Sequence, residues 1–206
     1  MLKSQVGGEY GAIILAAGAS TRMGSAKQVL PWKNKNLLQH VMDEIRSSGL
    51  EAIAVVLGAG RDKIESQIEF GEVDPVFNEQ WEGGMASSIV AGMTHLREKL
   101  PSMRGVLIAL ADQPLLDRHF YNQMRNMHTD NRNKIIASFY SGELGAPALF
   151  DKRFFDELMN LRGKQGAKAL LRLHESHVIR ISAGDKAIDL DTKEKYEHFY
   201  DLYGRP

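Results

Sequence analysis

The chain contains no cysteine. This absence excludes disulfide bonds, thiolate zinc sites and cysteine nucleophiles, so carboxylates and imidazoles are the remaining metal ligands. Long hydrophobic runs are absent too, because no stretch approaches the roughly 18 apolar residues of a membrane span. The Met1–Tyr10 segment is too polar to be the apolar part of a secretion signal. We therefore expect a cytoplasmic protein without a membrane partner.

Clustered charge of one sign is also absent. The sequence has 26 Lys and Arg residues and 26 Asp and Glu residues, so its formal net charge is zero. Proteins that bind nucleic acids depend on dense Lys and Arg for their affinity. We therefore predict no nucleic-acid partner, and a nucleotide bound by this chain would be a small molecule.

What the sequence does contain is an alternation of strand-like and helix-like stretches. Its 206 residues, 43% of them hydrophobic, suffice for one domain with a buried core, and we predict a single domain over residues 1–206. The strand-like runs are Ala12–Leu15, Ala52–Leu57, Val73–Phe77, Val106–Leu110 and Lys134–Phe139. Amphipathic stretches lie between most of them, which predicts an α/β fold with a doubly wound, mostly parallel, Rossmann-like sheet. Ligands of such sheets bind at the carboxyl ends of the strands.

The pattern changes after residue 142. The run Glu143–Phe150 contains Gly145 and Pro147, which favour an edge or ribbon strand over a central parallel one. A short strand near Ile188–Leu190 and a helix from about Lys193 to Tyr203 are expected to end the chain. The sheet is therefore predicted to be mixed in its C-terminal part.

The first predicted strand opens into a loop of small residues followed by two cations. Residues 16–19 are Ala-Ala-Gly-Ala, which let a ligand approach backbone N–H groups that can cradle anionic oxygen. Arg22 and Lys27 add full positive charges, which suit a polyphosphate. The spacing matches neither a Walker loop nor the three-glycine dinucleotide fingerprint, which Gly58-Ala59-Gly60 also fails to complete. The residues alone leave two possibilities open: an anion-binding loop, or an ordinary strand-to-helix connection.

Aspartates follow two predicted strands. Asp112 ends a buried strand just before a proline that turns the chain, a good position for binding a divalent cation. Asp189 and Asp191 lie on the same side of an extended segment, so either could join Asp112 at a cation. A turn or a helix N-cap is the alternative role for each of these aspartates.

The stretch Asn78–Ser88 joins a predicted strand to a predicted helix. Gly83 and Gly84 allow close approach to the backbone, and Ser87 and Ser88 offer hydroxyls and free N–H groups at the helix start. Without further context, the same residues could simply make a turn and an N-cap.

The order of residues from Leu15 to Pro31, L-A-A-G-x-S-x-R-M-G-x-x-K-x-x-L-P, resembles the nucleotide-binding signature of the MobA-like nucleotidyltransferases. Within that superfamily it is most similar to the molybdenum cofactor cytidylyltransferases. Asn78–Ser88 resembles the element that lies over the base and ribose in those enzymes. Gly142–Phe150 and Leu161–Ala167 resemble segments associated with the acceptor, although Lys164 stands where an Asp is usual.

The resemblance implies a nucleotidyltransferase that moves CMP from CTP to the terminal phosphate of molybdopterin or molybdenum cofactor and releases pyrophosphate. It implies Mg²⁺, with Mn²⁺ as an alternative, held by Asp112 and Asp191. Lys27, Arg22 and Asp112 are the implied catalytic residues. CTP is favoured over GTP because Ala17 stands where the guanylyl branch usually carries another Gly. A molybdoenzyme of the xanthine dehydrogenase class is the implied recipient of the product.

The implied nucleotide-binding residues are Leu15, Ala16, Ala17, Gly18, Arg22, Gly24, Lys27, Gly83, Gly84, Ser87 and Ser88. Two alternatives stay open: a nucleotidyltransferase that acts on a sugar- or alcohol-phosphate, and a non-catalytic module that delivers finished cofactor to a molybdoenzyme. The presence of both Asp112 and Lys27 speaks against the second alternative, because binding a finished product does not require the two together.

Overall fold

The structure is a computed structural model and describes residues 10–20, 23–24 and 26–206. Within these residues, seven strands form one sheet and two short strands form a separate hairpin. The strands are β1 (Tyr10–Leu15), β2 (Pro31–Trp32), β3 (Lys35–Asn36), β4 (Ala52–Leu57), β5 (Asp74–Phe77), β6 (Gly105–Leu110), β7 (Ile135–Tyr140), β8 (Glu143–Asp151) and β9 (Val178–Ser182). The α-helices are α1 (Leu37–Arg46), α2 (Arg61–Glu65), α3 (Met85–Lys99), α4 (Arg118–Asp130), α5 (Phe155–Met159), α6 (Lys168–Leu173) and α7 (Lys193–Phe199).

The sheet has the strand order β5-β4-β1-β6-β8-β7-β9. The pairs β1 with β4, β1 with β6, β4 with β5 and β7 with β9 are parallel, whereas β8 runs antiparallel to both β6 and β7. Helices cover both faces, and the predicted doubly wound, mostly parallel but mixed sheet is confirmed. The chain first builds outward from β1 through β4 to β5 and then returns to the other side of β1 with β6.

As predicted, the strand after residue 142 is not a central parallel strand, and its first residues, 143–145, pair with β7 alone as a ribbon. The expectation of an edge strand is wrong for residues 148–150, which pair on both sides. β8 lies inside the sheet between β6 and β7. Pro147 is tolerated there because the register with β7 shifts between Ala137 and Ser138, so that residues 146 and 147 lie between the paired positions. At such an irregularity the missing N–H of proline removes no ladder hydrogen bond.

The end of the chain also differs from the sequence prediction. Residues 188–190 form no strand, although Leu190 donates its N–H to the carbonyl of Asp112 at 2.9 Å. The final helix begins at Lys193 as predicted, but its α-helical part ends at Phe199 and a π-helical turn covers residues 200–204. Where a strand was predicted at residues 188–190, one backbone hydrogen bond thus stands in place of a ladder of strand hydrogen bonds.

Two hydrophobic layers hold the sheet between its helices. Successive residues of β1 point to opposite faces, so Ile14 joins the cluster with α1 and α4, and Ile13 joins the cluster with α3, α5 and α6. Both side chains are fully buried. Among the described residues, none of the helices combines the length and apolar character that a membrane crossing requires.

Candidate active site

The carboxyl ends of β1 and β6 open onto a cavity of about 350 Å³. This is the point where the strand order reverses, and ligands of open α/β sheets bind at such points. Five separate segments of the chain supply the lining: Leu15, Ala16, Ala17, Gly18, Lys27, Gln28, Trp81, Gly84, Met85, Ser88, Leu110, Ala111, Asp112, Asp189 and Asp191. We call this space the central cavity.

The loop after β1 is held from within by Gln28, a position that the sequence motif leaves unspecified. Gln28 is only 1% exposed, and its Nε2 donates to the carbonyl of Ala16 at 2.7 Å and to that of Gly18 at 3.4 Å. The N–H of Ala16 donates to Val56 of β4 at 2.9 Å, so the loop continues the line of β1 before it turns. The carbonyl oxygens of Ala16 and Gly18 would repel a phosphate, but they accept hydrogen bonds from Gln28 instead of facing the cavity unpaired.

An ion pair between Lys27 and Asp112 connects the loop to the end of β6. The two residues are 85 positions apart in the chain. Their side chains are only 18% and 13% exposed, so the pair is partly shielded from water. Shielding strengthens electrostatic interactions, and the pair therefore orients a cation and a carboxylate toward the same cavity.

Asp189 and Asp191 reach the same cavity through the segment that pairs with Asp112. Both flank Leu190, whose N–H bonds the Asp112 carbonyl, and both line the central cavity. Gln113 donates its Nε2 to Oδ1 of Asp189 at 2.9 Å. Burial, and next the nearby charge of Asp112, raise the pKa of Asp189 to about 6.

Asp191 differs from Asp189 in its hydrogen-bond partner. Its side chain is 24% exposed and accepts a hydrogen bond from Nζ of Lys195 at 3.1 Å. No group of three or more His, Asp or Glu side chains forms a metal site within the described part of the chain. Two carboxylates together with substrate phosphates and water are nevertheless a usual ligand set for Mg²⁺, and Asp112 and Asp191 fit that set.

The segment between β5 and α3 is organised by Asn78, which is 5% exposed. Its Nδ2 donates to Oγ of Ser87 at 2.9 Å and to Oγ of Ser88 at 3.0 Å. Ser88 lines the central cavity, but Ser87 does not, and its hydroxyl donates to carbonyls of its own loop. Gly84 lines the cavity with a φ of 99°, a conformation that glycine adopts readily, whereas Gly83 does not line it.

Trp81 forms another wall of the cavity and requires the glycine that follows β4. A Cβ on Gly58 would lie 2.6 Å from Cβ of Trp81 and 2.8 Å from the carbonyl oxygen of Ala17. Trp81 can therefore approach the loop after β1 only because residue 58 has no side chain. The sequence signal was present in Gly58-Ala59-Gly60, but it marks close packing rather than a dinucleotide fingerprint.

The family model of the MobA-like NTP transferase domain matches residues 12–178. The chain belongs to this family. It is therefore a nucleotidyltransferase, and the family suggested by the sequence motifs is confirmed.

Two curated relatives match this MobA-like domain over most of their length. Nicotine blue oxidoreductase from Paenarthrobacter nicotinovorans is 27% identical over 194 residues, which cover 89% of this chain and 92% of that protein. Purine catabolism protein PucB from Bacillus subtilis strain 168 is 29% identical over 198 residues, which cover 90% of this chain and 93% of PucB.

A solved structure shares the fold. The crystal structure of Rv0371c from Mycobacterium tuberculosis H37Rv has a TM-score of 0.83 at 23% identity, with 95% of this chain and all of that chain covered. The crystal structure of the same protein in complex with manganese has a TM-score of 0.77 at 22% identity, with 94% of this chain and 98% of that chain covered.

Besides Gly83 and Ser87, two further predicted residues of the MobA-like domain lie away from the central cavity or outside the described residues. Arg22 lies outside the described residues. Gly24 lines a neighbouring cavity of about 380 Å³, which shares Gly18 with the central cavity. Lys63 lines the same neighbouring cavity, although no sequence motif pointed to it.

A second neighbouring cavity, of about 340 Å³, adjoins the central cavity on the side of β8 and α6. The two share Met85, Leu110 and Asp189. Residues 143–146 and Lys168 contribute to its lining, and an ion pair joins Lys168 to Glu143. The sequence segment that resembles the acceptor side of the family thus lines a cavity that adjoins the central one.

Proposed function

We propose that this nucleotidyltransferase moves CMP from CTP to the terminal phosphate of molybdopterin or molybdenum cofactor and releases pyrophosphate. One observation carries the proposal: Lys27, Asp112 and Asp191 line a single cavity together with the small-residue loop after β1. A cation for phosphates and carboxylates for a divalent ion are the two features that phosphoryl and nucleotidyl transfer require.

In this reaction an oxygen of the acceptor phosphate forms a bond to the α-phosphorus of CTP, and the bond from that phosphorus to the bridging oxygen of pyrophosphate breaks. The acceptor is already an anion, so no general base is needed. Lys27 would compensate the charge that develops on the departing pyrophosphate, and Arg22 is assigned the same task by sequence motif alone. Asp112 holds Lys27 in place before the substrate binds.

Asp112 and Asp191 would hold the divalent cation. When bound, Mg²⁺ or Mn²⁺ supplies positive charge that screens the phosphate oxygens and orients them. The donor set of two carboxylates supports this assignment, and the manganese complex of the relative with 22% identity supports a divalent ion in this fold.

The base and the acceptor are assigned to two adjoining cavities. The central cavity, whose lining includes Ala17, Trp81 and Ser88, is proposed for cytosine and ribose. The cavity beside β8 is proposed for the acceptor, and Lys168, which is paired with Glu143, is the cation of its lining. A molybdoenzyme of the xanthine dehydrogenase class is the proposed recipient.

The test is a pyrophosphate-release assay with CTP or GTP, with molybdenum cofactor or a sugar-phosphate, and with or without Mg²⁺. We expect release only with CTP, molybdenum cofactor and Mg²⁺ together. Release with a sugar-phosphate would transfer the activity to another acceptor, and release with GTP would contradict the role of Ala17. Stable cofactor binding without turnover would identify a delivery module.

The matched variants are Lys27→Met and Lys193→Met. Lys27 lies in the central cavity, whereas the side chain of Lys193 is 70% exposed at the start of α7. We expect Lys27→Met to lower kcat by about 10²-fold or more, as for other single electrostatic stabilisers, and Lys193→Met to leave kcat unchanged. Equal rates for the two variants would remove Lys27 from the mechanism.

A further inference from the structure

The neighbouring cavity that Gly24 lines contains a cation that the proposed reaction does not yet use. Its volume is about 380 Å³. Most of its lining belongs to the loop after β1, and the rest comes from Ala59, Gly60 and Lys63, which follow β4. We call it the loop cavity. Gly18 lines both the loop cavity and the central cavity, so the two adjoin at the loop.

The walls of the loop cavity leave backbone donors accessible. Apart from Lys63, every described residue of its lining is Gly, Ala or Ser, and side chains of this size let a ligand approach the backbone. The N–H groups of Gly18, Ala19 and Ser20 donate to no acceptor within the residues that the structure describes. Gly18 and Ala19 are exposed. Free backbone N–H groups of this kind bind anionic oxygen.

The ammonium group of Lys63 is uncommitted. Its Nζ makes no ion pair or hydrogen bond with any residue that the structure describes. Arg61, on the same helix, differs because it pairs with Glu65 at 2.9 Å and lies over the ring of Phe77, 4.8 Å from the ring centre. An ammonium group without a carboxylate partner keeps its full charge for an anion.

Lys27 is placed differently, because Asp112 already balances its charge. That ion pair lies in the central cavity, and Lys27 does not line the loop cavity. A nucleoside triphosphate carries further negative charge on its terminal phosphates, beyond the phosphorus that is attacked. Those phosphates need a cation of their own, and Lys63 stands beside the loop that leads away from Lys27.

Packing fixes the backbone of Lys63 next to this loop. The following residue, Ile64, is fully buried in the same cluster as Ile14 of β1. The N–H of Ala59 donates to the carbonyl of Ala17 at 3.2 Å, which ties the chain after β4 to the loop after β1. The exposed side chain of Lys63 therefore starts from a fixed position at the cavity wall.

We propose that Lys63 binds the terminal phosphate of the nucleoside triphosphate in the loop cavity. The N–H groups of Gly18, Ala19 and Ser20 add directional hydrogen bonds to the point charge of the ammonium group. Lys27 then acts at the phosphates nearer to the reacting α-phosphorus. The assignment rests on the proposed nucleotidyl transfer, but it depends neither on the base nor on the acceptor.

The test is isothermal titration calorimetry with CTP, CMP and pyrophosphate, in Mg²⁺ buffer without an acceptor. CMP lacks the terminal phosphates, whereas pyrophosphate has no base. We expect Lys63→Met to weaken binding of CTP and pyrophosphate about tenfold or more, as for the loss of one hydrogen bond between charged groups, and to leave CMP binding unchanged. Lys63→Arg keeps the charge and should restore most of the affinity for CTP.

Arg61→Met is the matched control, because it removes one positive charge from the same helix and Arg61 lines neither cavity. We expect it to leave binding of all three ligands unchanged. The assignment of Lys63 is overturned if Lys63→Met binds CTP as tightly as the parent, if CMP loses as much affinity as CTP, or if the two variants behave alike.

The proposed function can fail separately. If Lys63→Met loses affinity for pyrophosphate as expected but the parent shows no turnover with molybdenum cofactor, the assignment of Lys63 holds and the acceptor is wrong. If the parent binds GTP instead of CTP, the same comparison is made with GTP and GMP, and only the choice of cytosine is wrong. A parent that binds neither a nucleoside triphosphate nor pyrophosphate would overturn both proposals.

Discussion

Replacing Gly58 by alanine tests how the central cavity is built. The added Cβ would lie 2.6 Å from Cβ of Trp81 and 2.8 Å from the carbonyl oxygen of Ala17, whereas carbon atoms normally rest about 3.5–4.0 Å apart. Neither neighbour can yield easily. The carbonyl of Ala17 accepts the N–H of Ala59 at 3.2 Å, and the N–H of Trp81 donates to Asn78 at 3.3 Å.

The magnitude follows from two opposing effects. Overpacking of this kind costs about 1–3 kcal/mol of unfolding free energy. A glycine-to-alanine change also stabilises by about 0.4–1 kcal/mol because it restricts the unfolded chain. Gly18→Ala is the matched control, since nothing lies within 4 Å of a Cβ at Gly18 and it carries only the second effect. The difference between the two variants should therefore be about 1–3 kcal/mol, with Gly58→Ala the less stable.

Urea unfolding followed by circular dichroism measures this difference. With a slope of about 2 kcal/mol per molar urea, the two midpoints should differ by about 0.5–1.5 M. Gly58→Ala should also weaken CTP binding, because Trp81 is pushed out of the cavity wall. Equal midpoints for the two variants would refute the conclusion that the missing side chain of residue 58 positions Trp81.

The remaining predictions concern polar groups of the central cavity. Gln28→Leu should lower the unfolding free energy by about 1–3 kcal/mol in urea titrations, because the Ala16 carbonyl loses its buried donor; an unchanged midpoint would show that water replaces the amide. The raised pKa of Asp189, about 6, means that the folded state binds more protons than the unfolded state from about pH 4 to pH 6, so this group's contribution to stability is lost as the pH rises through that window. Asp189→Asn should remove this pH-dependent loss of stability and raise the unfolding free energy by about 1–2 kcal/mol at neutral pH in metal-free buffer. The magnitude is reduced because Asp189 is partly exposed to solvent. A variant less stable than the parent protein at neutral pH would contradict the prediction. Asp112→Asn should lower kcat by about 10²-fold or more in the pyrophosphate assay, and full turnover would exclude the carboxylate from the reaction.

The carboxylate of Asp189 opposes the stability of the fold at neutral pH. Burial and the charge of Asp112 raise the pKa of Asp189, and the charge of Lys27 lowers it. Such an arrangement is expected where negative charge is kept for a bound cation rather than for the folded state alone. Metal binding should therefore stabilise the protein, which a thermal shift with and without Mg²⁺ measures.

Local patterns in the sequence determined most of the strands and the chemical character of the site. Apolar runs identified β1, β4 and β6, because a parallel strand that is buried on both faces needs apolar side chains on both. The residues that follow those strands lie at one edge of the sheet, so the sequence alone predicts that the loop after β1 and Asp112 lie at that edge. The order of small residues and cations also indicated the family.

Tertiary structure alone decided the contacts between distant segments. The central position of β8 depends on pairing with β6 and β7, and the preference of Pro147 for an edge was overruled by a register shift that no local pattern records. In the sequence Gln28 is an ordinary polar residue, but packing buries it and directs its amide toward the loop after β1. The ion pair of Lys27 with Asp112, and the bond from Leu190 that brings two aspartates beside them, join positions far apart in the chain. Periodicity reports which face of an element is buried, whereas the identity of the partner across that face is set by the folding of the whole chain.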